Sequence, residues 1–239
     1  MKIGIAQARP FKGNVSANVE AHRKLIDSAL TYKADAVFFP ELSLTGYEPA
    51  LANELASHQD DNELDIFQQI SDQYKIIIGV GLPTRSATIP RISMIIFTPQ
   101  QARQTYSKQQ LHSDEFPYFG SGEGQVIIES GKSKIAPAIC YESLQPSHAA
   151  NSFGLGANIY VASVAKSANG VEKAFQHFPV IAKRYSMPVF MANSLGFCDN
   201  FLSVGRSSVW SKDGRLIAQL DEQSEGVLVY DTETEELLS

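Results

Sequence analysis

The chain has 239 residues, of which 44% are hydrophobic and 19% are charged, and its formal net charge is −6. This length and composition fit a single globular domain, residues 1–239, and the scattered basic residues of an acidic chain argue against a nucleic-acid partner. Two cysteines are too few for a disulfide framework and no stretch approaches the length of a membrane span, so we expect a cytoplasmic protein with free thiols and no membrane partner.

The first third of the chain alternates between strand and helix. Residues 2–8 alternate in polarity and predict an opening strand, and apolar residues recur at helical spacing over residues 16–33. Residues 36–39 are uniformly apolar, which is typical of a strand buried on both faces. A helix that starts at the acidic pair 60–61 and a buried strand at 76–82 follow.

In the middle of the chain, pairs of consecutive predicted strands replace the alternation of strand and helix. Residues 91–97 and 103–108 predict a hairpin, and residues 125–129 and 134–140 predict a second strand pair. Between the pairs, residues 109–124 form a polar, aromatic and glycine-rich loop. A loop of this length inside a compact domain is usually functional or mobile.

The second half returns to strands and helices, with no linker and no clear internal repeat. Strand pairs in both halves favour a layered α/β sandwich, in which helices cover two central sheets on their outer sides. The predicted elements are a helix ending near residue 153, a strand at 158–165, a loop at 166–170, a helix at 172–185, and strands at 188–193, 206–210, 215–220 and 227–230.

Cys140 ends an apolar run and is followed by the polar residues Tyr141, Glu142 and Ser143. This pattern predicts a thiol at the carboxyl end of a buried strand, beside the free N–H groups of a helix start. The position suits a nucleophile, because a helix N-terminus lowers the pKa of a thiol. Simple packing is the alternative, since cysteine is among the most buried residue types, and Cys198 is assigned to that role because it lies outside any motif.

Glu41 and Lys108 occupy matching positions at the ends of predicted strands. Each alone is equally consistent with a solvated charge that terminates a sheet. Together with Cys140 they form a set for acyl transfer: a thiol that attacks an amide carbonyl, a carboxylate that moves its proton, and a cation that stabilises the oxyanion. The backbone N–H of Tyr141 is a candidate second donor to that oxyanion.

Three segments resemble the signature motifs of the nitrilase superfamily of carbon-nitrogen hydrolases, and they occur in the same order. They are DAVFFPELSLTGY at residues 35–47, YSKQQL at 106–111 and APAICYES at 136–143. The resemblance extends over nearly the whole chain, from IGIAQ to the late segment GRSSVWSKDGRLIAQL. Three ordered motifs are far more specific than any one of them.

The resemblance implies an αββα sandwich of four layers, with two central mixed sheets covered by helices. It also implies hydrolysis of a non-peptide C–N bond without cofactor or metal, with Cys140 as nucleophile, Glu41 as general base and Lys108 as stabiliser of the intermediate. In some members a second glutamate follows the lysine motif, and Glu115 matches it. The expected substrate is a small amide, cleaved through a cysteine thioester to a carboxylate and ammonia or an amine.

The chain departs from the family near the expected substrate pocket. Glu142 stands where many amidases carry Asp, Gln145 replaces a common aromatic residue, and Lys166 to Ala168 follow a strand after which many members have Trp or Pro. The substrate therefore cannot be copied from relatives. Because the 239 residues include no fused synthetase domain and no membrane helices, we expect a protein outside the glutamine-dependent NAD synthetase and lipoprotein acyltransferase branches.

Other interpretations stay open at this point. A carbamoyl compound or a nitrile could be the substrate on the same fold. A different cysteine hydrolase of the isochorismatase type would be expected to carry an acid near the first strand, and residues 2–10 contain no Asp. A non-catalytic binding scaffold would be favoured by loss of Glu41, Lys108 or Cys140, and all three are present.

A homodimer is the expected assembly, because the resemblance implies pairing through the outer helices and two-fold dimers are the commonest oligomers. One apolar stripe of each helix must cover its sheet, so only the remaining apolar surface is available to a partner. The candidates on the two helices are Leu144, Ala149 and Phe153, and Phe175, Phe178 and Ile181.

Overall fold

Fifteen strands and five α-helices are distributed along residues 1–238, the part of the chain that the computed structural model describes. The elements before residue 110 are β1 (Lys2–Gln7), α1 (Val15–Thr31), β2 (Ala36–Phe38), α2 (Ala52–Leu55), α3 (Asp65–Tyr74), β3 (Ile77–Thr84), β4 (Arg91–Phe97) and β5 (Gln104–Ser107). Short 3-10 helices at Pro49–Leu51 and Asn62–Leu64 precede α2 and α3.

The later part of the chain begins with another strand pair and ends in a series of short strands. Its elements are β6 (Ile128–Ser130), β7 (Ser133–Ile139), the 3-10 helix Cys140–Leu144, α4 (Pro146–Gly154), β8 (Ile159–Val164), α5 (Ala168–Tyr185), β9 (Val189–Asn193), β10 (Leu195–Cys198), β11 (Phe201–Val204), β12 (Ser208–Trp210), β13 (Leu216–Gln219), β14 (Gly226–Asp231) and β15 (Glu236–Leu237).

Two mixed sheets form the centre of the molecule. The first has seven strands in the order β15-β14-β1-β2-β3-β4-β5, and the second has six in the order β13-β12-β9-β8-β7-β6. In each sheet three neighbouring strands run parallel, β1, β2 and β3 in the first and β7, β8 and β9 in the second. The strands β10 and β11 form a separate antiparallel hairpin.

Helices cover the outer face of each sheet. Leu25 and Ile26 of α1 and Phe67 of α3 pack against the first sheet, and Val171 and Phe178 of α5 pack against the second. A third cluster of apolar side chains fills the space between the two sheets. The predicted four-layer αββα sandwich is therefore confirmed.

The two sheets have similar topologies, although the sequence shows no clear repeat. Each contains three parallel strands joined by helical crossovers and an antiparallel hairpin, β4-β5 or β12-β13, on one side. On the other side the first sheet has two antiparallel strands, β14 and β15, and the second has one, β6. Different side chains build equivalent elements in the two halves.

Several predicted boundaries are confirmed, and a few elements were missed. The predicted strand at 91–97 is β4, whereas α5 begins at Ala168 rather than at residue 172, so most of the predicted loop at 166–170 is helical. The helix predicted from residues 60–61 is split, because Asp61 caps a 3-10 helix and α3 begins at Asp65. The hairpin β10-β11 and the edge strand β15 were not predicted.

A buried hydrogen bond connects the two sheets beside the end of β2. The hydroxyl of Ser163 in β8 donates to the carbonyl of Phe39 at 2.6 Å. Polar groups in a low-dielectric interior form strong hydrogen bonds, so this contact fixes the two sheets relative to each other at that point. Within residues 1–238, no helix combines the length and the apolar character needed to cross a membrane.

Candidate active site

Glu41 lies in a tight turn directly after β2 and is 1% exposed. The next residue, Leu42, has a left-handed backbone with φ of 50°, which is uncommon for a residue with a branched side chain. Gly81 of β3 makes this turn possible, because a Cβ there would lie 2.5 Å from the Leu42 nitrogen and 2.6 Å from the Pro40 carbonyl oxygen. The turn packs the Glu41 backbone against the neighbouring strand.

Cys140 follows β7 and opens the 3-10 helix Cys140–Leu144. Its φ of 47° is also left-handed, so the chain turns sharply at the thiol. Such strained positions cluster at functional sites, where the surrounding structure holds them in place. The partly buried thiol donates to the Ala165 carbonyl at 3.7 Å, which orients the sulfur toward the end of β8.

Lys108 follows β5, and its side chain is fully buried. Its Nζ donates to Glu41 Oε1 at 2.8 Å and to Glu115 Oε1 at 2.6 Å, so one ammonium joins two carboxylates. The other oxygen of Glu41, Oε2, is buried and has no hydrogen-bond partner among the described residues. A buried carboxylate oxygen with a free lone pair is suited to accept a proton.

Glu115 lies in the long loop at residues 109–124, which is folded against β5 rather than extended into solvent. Its Oε1 accepts a hydrogen bond from the Tyr47 hydroxyl at 2.9 Å, and its Oε2 accepts one from the His112 backbone N–H at 2.7 Å. Gly122 allows the loop to approach the strand, because a Cβ there would lie 2.1 Å from the Ser107 carbonyl oxygen. The structure thus brings Glu115 to Lys108, as the family resemblance implies.

The electrostatics of this cluster favour a neutral thiol and a basic carboxylate. Burial raises the pKa of Cys140 to about 11, helped by the negative charge of Glu41 and opposed by the positive charges of Lys166 and Lys108. Burial also raises the pKa of Glu41, while Lys108 acts to lower it. Burial acts to lower the pKa of Lys108, but the negative charges of Glu41 and Glu115 and the hydrogen bond to Glu115 outweigh it and raise that pKa.

Glu142 is a buried residue whose structural role the sequence did not indicate. Its Oε1 accepts hydrogen bonds from the Tyr106 hydroxyl at 2.6 Å and the Ile139 N–H at 2.8 Å. Its Oε2 accepts hydrogen bonds from the N–H groups of Gln109 at 2.7 Å and Gln110 at 3.2 Å. The carboxylate therefore links the turn at Cys140 to the segment that follows Lys108.

A cavity of about 530 Å³ opens beside these groups. Its lining residues are Tyr47, Lys108, His112, Asp114, Glu115, Cys140, Tyr141, Leu144, Gln145, Ala165, Lys166, Ser167, Gly170, Lys173, His177 and Phe201. A larger groove of about 800 Å³ lies elsewhere on the surface and contains none of the predicted site residues, so we place the chemistry in the smaller cavity.

The Tyr141 backbone N–H, the predicted oxyanion donor, lies on the 3-10 helix beside the thiol, and Tyr141 lines the cavity. Tyr141 is the second residue of that helix, and the first N–H groups of a helix have no partner within it, so this group is placed to donate to a bound molecule. Across the same residues, no group of three or more His, Cys, Asp or Glu side chains is placed to hold a metal ion.

Residues 2–237 match the carbon-nitrogen hydrolase family. The chain belongs to this family. Among solved structures, an amidase from Nesterenkonia sp. AN1 has a TM-score of 0.88 and 20% sequence identity, with 97% of this chain and 92% of that chain covered. The similarity in structure confirms the nitrilase-type fold of this carbon-nitrogen hydrolase family member.

Curated relatives of this carbon-nitrogen hydrolase differ in length and in described activity. A glutamine-dependent NAD(+) synthetase from Aquifex aeolicus is 27% identical over 95% of this chain, and the match covers 41% of the synthetase. The chain therefore spans about two fifths of the first relatives it matches. A probable nitrilase from Schizosaccharomyces pombe and a hydrolase in the agr operon of Staphylococcus aureus are each 24% identical, with 88% and 93% of their lengths covered.

Proposed function

We propose that this protein hydrolyses the C–N bond of a small amide through a thioester on Cys140. The observation that carries the proposal is the placement of a buried Lys108 between Glu41 and Glu115 in the cavity that also holds the thiol. Glu41 serves as general base, Lys108 and the Tyr141 N–H as oxyanion donors, and Glu115 as the carboxylate that positions Lys108.

The first half of the reaction forms the thioester. With a thiol pKa of about 11, Cys140 carries its proton at neutral pH, so the proton moves to the free Oε2 of Glu41 as the sulfur attacks the amide carbonyl. The new C–S bond creates a tetrahedral oxyanion, which Lys108 and the Tyr141 N–H stabilise. The C–N bond then breaks as Glu41 returns the proton to the nitrogen, and ammonia or an amine leaves.

The second half of the reaction uses water. Glu41 is again ionised after the amine leaves, and it takes a proton from a water molecule that attacks the thioester carbonyl. The resulting oxyanion accepts hydrogen bonds from the same donors. The C–S bond then breaks, and the sulfur regains its proton from Glu41. The products are a carboxylic acid and a regenerated thiol, so no cofactor is required to balance the reaction.

An amide is favoured over a carbamoyl compound or a nitrile as substrate. The Nesterenkonia amidase has been solved in complex with butyramide, and in another form acrylamide has added to its active-site cysteine. A panel of small amides, ureas and nitriles, assayed for ammonia release, tests the choice directly. Turnover of nitriles with no turnover of amides would refute an amidase.

Variants of the three central residues test the mechanism. Cys140→Ala should lose turnover by orders of magnitude, because the covalent path is removed, whereas Cys198→Ala is the matched thiol control. Glu41→Gln and Lys108→Met should lower kcat more than they raise KM, since each group acts mainly on the transition state. Full activity of Cys140→Ala would refute the nucleophile assignment. A change in KM alone in Glu41→Gln or Lys108→Met would assign that residue to substrate binding rather than to the chemical step.

A further inference from the structure

Lys166 is a buried cation that the proposed mechanism does not use. It follows β8, lines the cavity and is 5% exposed. Its Nζ has two long contacts, 3.5 Å to the Cys140 carbonyl oxygen and 3.8 Å to the Cys140 sulfur, and no carboxylate of residues 1–238 lies within ion-pair distance. Burial of a charge without a paired anion is costly, so a bound anion would stabilise this ammonium.

Two further groups beside Lys166 are also free to bind an anion. The Nε2 atom of His177 is buried and has no hydrogen-bond partner among the described residues. Burial, and after it the charge of the nearby Lys166, lowers the pKa of this imidazole. Helix α5 begins at Ala168, and its N-cap Ser167 makes no capping hydrogen bond. The first N–H groups of an α-helix have no partner within the helix and favour anions.

The cavity thus has an acidic part and a basic part. Glu41 and Glu115 bind Lys108, and Asp114, which also lines the cavity, pairs with His112. Lys166, His177 and the start of α5 form the other part. In the proposed reaction the carbonyl oxygen is placed at Lys108 and the leaving nitrogen at Glu41. With the carbonyl oxygen and the nitrogen placed in this way, the acyl substituent is the part of the substrate that can extend to Lys166.

We infer that the substrate is the monoamide of a short dicarboxylic acid, whose free carboxylate pairs with Lys166 and hydrogen-bonds His177. This inference rests on the proposed amide hydrolysis and specifies its substrate class. Because Nζ lies 3.8 Å from the sulfur, a carboxylate a few carbons from the scissile carbonyl is close enough to pair with Lys166. Ammonium-carboxylate hydrogen bonds are among the stronger polar contacts in proteins.

An alternative role for Lys166 is to generate a thiolate at Cys140. Its charge does lower the pKa of the thiol, but that pKa remains at about 11 after this contribution. The thiol is therefore protonated at neutral pH with Lys166 in place. The stem of Lys166 also packs closely on α5, because a Cβ at Gly170 would lie 3.2 Å from the Lys166 Cβ, and this contact orients the side chain along the cavity wall.

Succinamate and butyramide provide a matched pair of probes, since the first carries a carboxylate where the second has a methyl group. The wild-type protein should have a kcat/KM for succinamate about ten- to hundredfold above that for butyramide, as expected for one hydrogen-bonded charge pair. In Lys166→Met this ratio should fall to about one. Lys183→Met, the same change at an exposed position on α5, should keep the wild-type ratio.

Equal losses on both substrates in Lys166→Met, or no preference in the wild-type protein, would overturn the inference. A binding measurement separates it from the proposed function. By calorimetry, Cys140→Ala should bind succinamate more tightly than butyramide, and the added change Lys166→Met should remove the difference. Preferential binding without wild-type turnover would refute the amidase and keep the anion site, whereas turnover of butyramide without preferential binding would do the reverse.

Discussion

Replacement of Glu142 by Gln is expected to destabilise the fold, although the two side chains have nearly the same shape. Glu142 is fully buried, and both of its carboxylate oxygens accept hydrogen bonds from backbone N–H groups. A glutamine can turn only one oxygen toward these donors, and its NH₂ group then faces an N–H. Burial raises the pKa of Glu142, whereas the hydrogen bonds from Tyr106, Ile139 and Gln109 act to lower it.

The size of the destabilisation follows from the less costly of the two orientations that the glutamine amide can take. If the NH₂ group faces Ile139, the Tyr106 hydroxyl can turn to accept from it, but the Ile139 N–H is left buried without an acceptor, at a cost of about 1–3 kcal/mol. The remaining bonds also lose their charge assistance. We expect a total loss of about 2–4 kcal/mol, which corresponds to a fall in Tm of about 5–15 °C for a chain of this length.

Thermal unfolding followed by circular dichroism measures this change, with Glu129→Gln as the control. Glu129 is exposed and pairs with Lys134 at 3.1 Å on the surface, where an ion pair contributes about 0–1 kcal/mol. The Tm of Glu129→Gln should therefore stay within about 3 °C of the wild-type value. A Tm for Glu142→Gln within that same range would refute the argument that four donors depend on this carboxylate.

Two other measurements test the thiol and the assembly. Iodoacetamide should label Cys140 rather than the buried Cys198. The labelling rate should still rise with pH above pH 9, because a thiol with a pKa of about 11 gains thiolate up to about pH 11. A labelling rate that reaches a plateau below pH 9 would contradict this. Exposed Phe153 and Val180 on α4 and α5 leave apolar surface for a two-fold dimer, so light scattering should give about twice the chain mass of 26.2 kDa. Val180→Glu should shift the protein to the monomer mass, and a wild-type monomer would refute the dimer.

The sequence predicted the central strands and the residues at their ends. Buried parallel strands have continuous apolar runs with polar residues directly after them, and this pattern located Glu41 and Cys140 on two neighbouring layers. The candidate helix-surface residues were less well predicted. Ala149, Phe178 and Ile181 are buried against the second sheet, and only the remaining apolar residues of these helices are free to contact a partner.

The parts that the sequence did not predict depend on contacts between distant segments. Glu142 lies at a helix start, where a carboxylate ordinarily caps N–H groups of its own helix, yet two of its donors are more than 30 residues away. Lys166 precedes α5, whose first turn the sequence predicts as part of a loop. Its burial and the absence of a paired carboxylate become visible only when α5 is placed beside the cavity.

The hydrogen bond from Ser163 to Phe39 has a consequence for how this protein tolerates substitutions. Glu41 follows a strand of one sheet and Cys140 follows a strand of the other, so their separation depends on how the two layers pack. A change at Ser163 therefore alters the geometry of residues that it does not touch. We expect epistasis between interlayer core positions and the site, in which the effect of one substitution depends on which residue occupies the other layer.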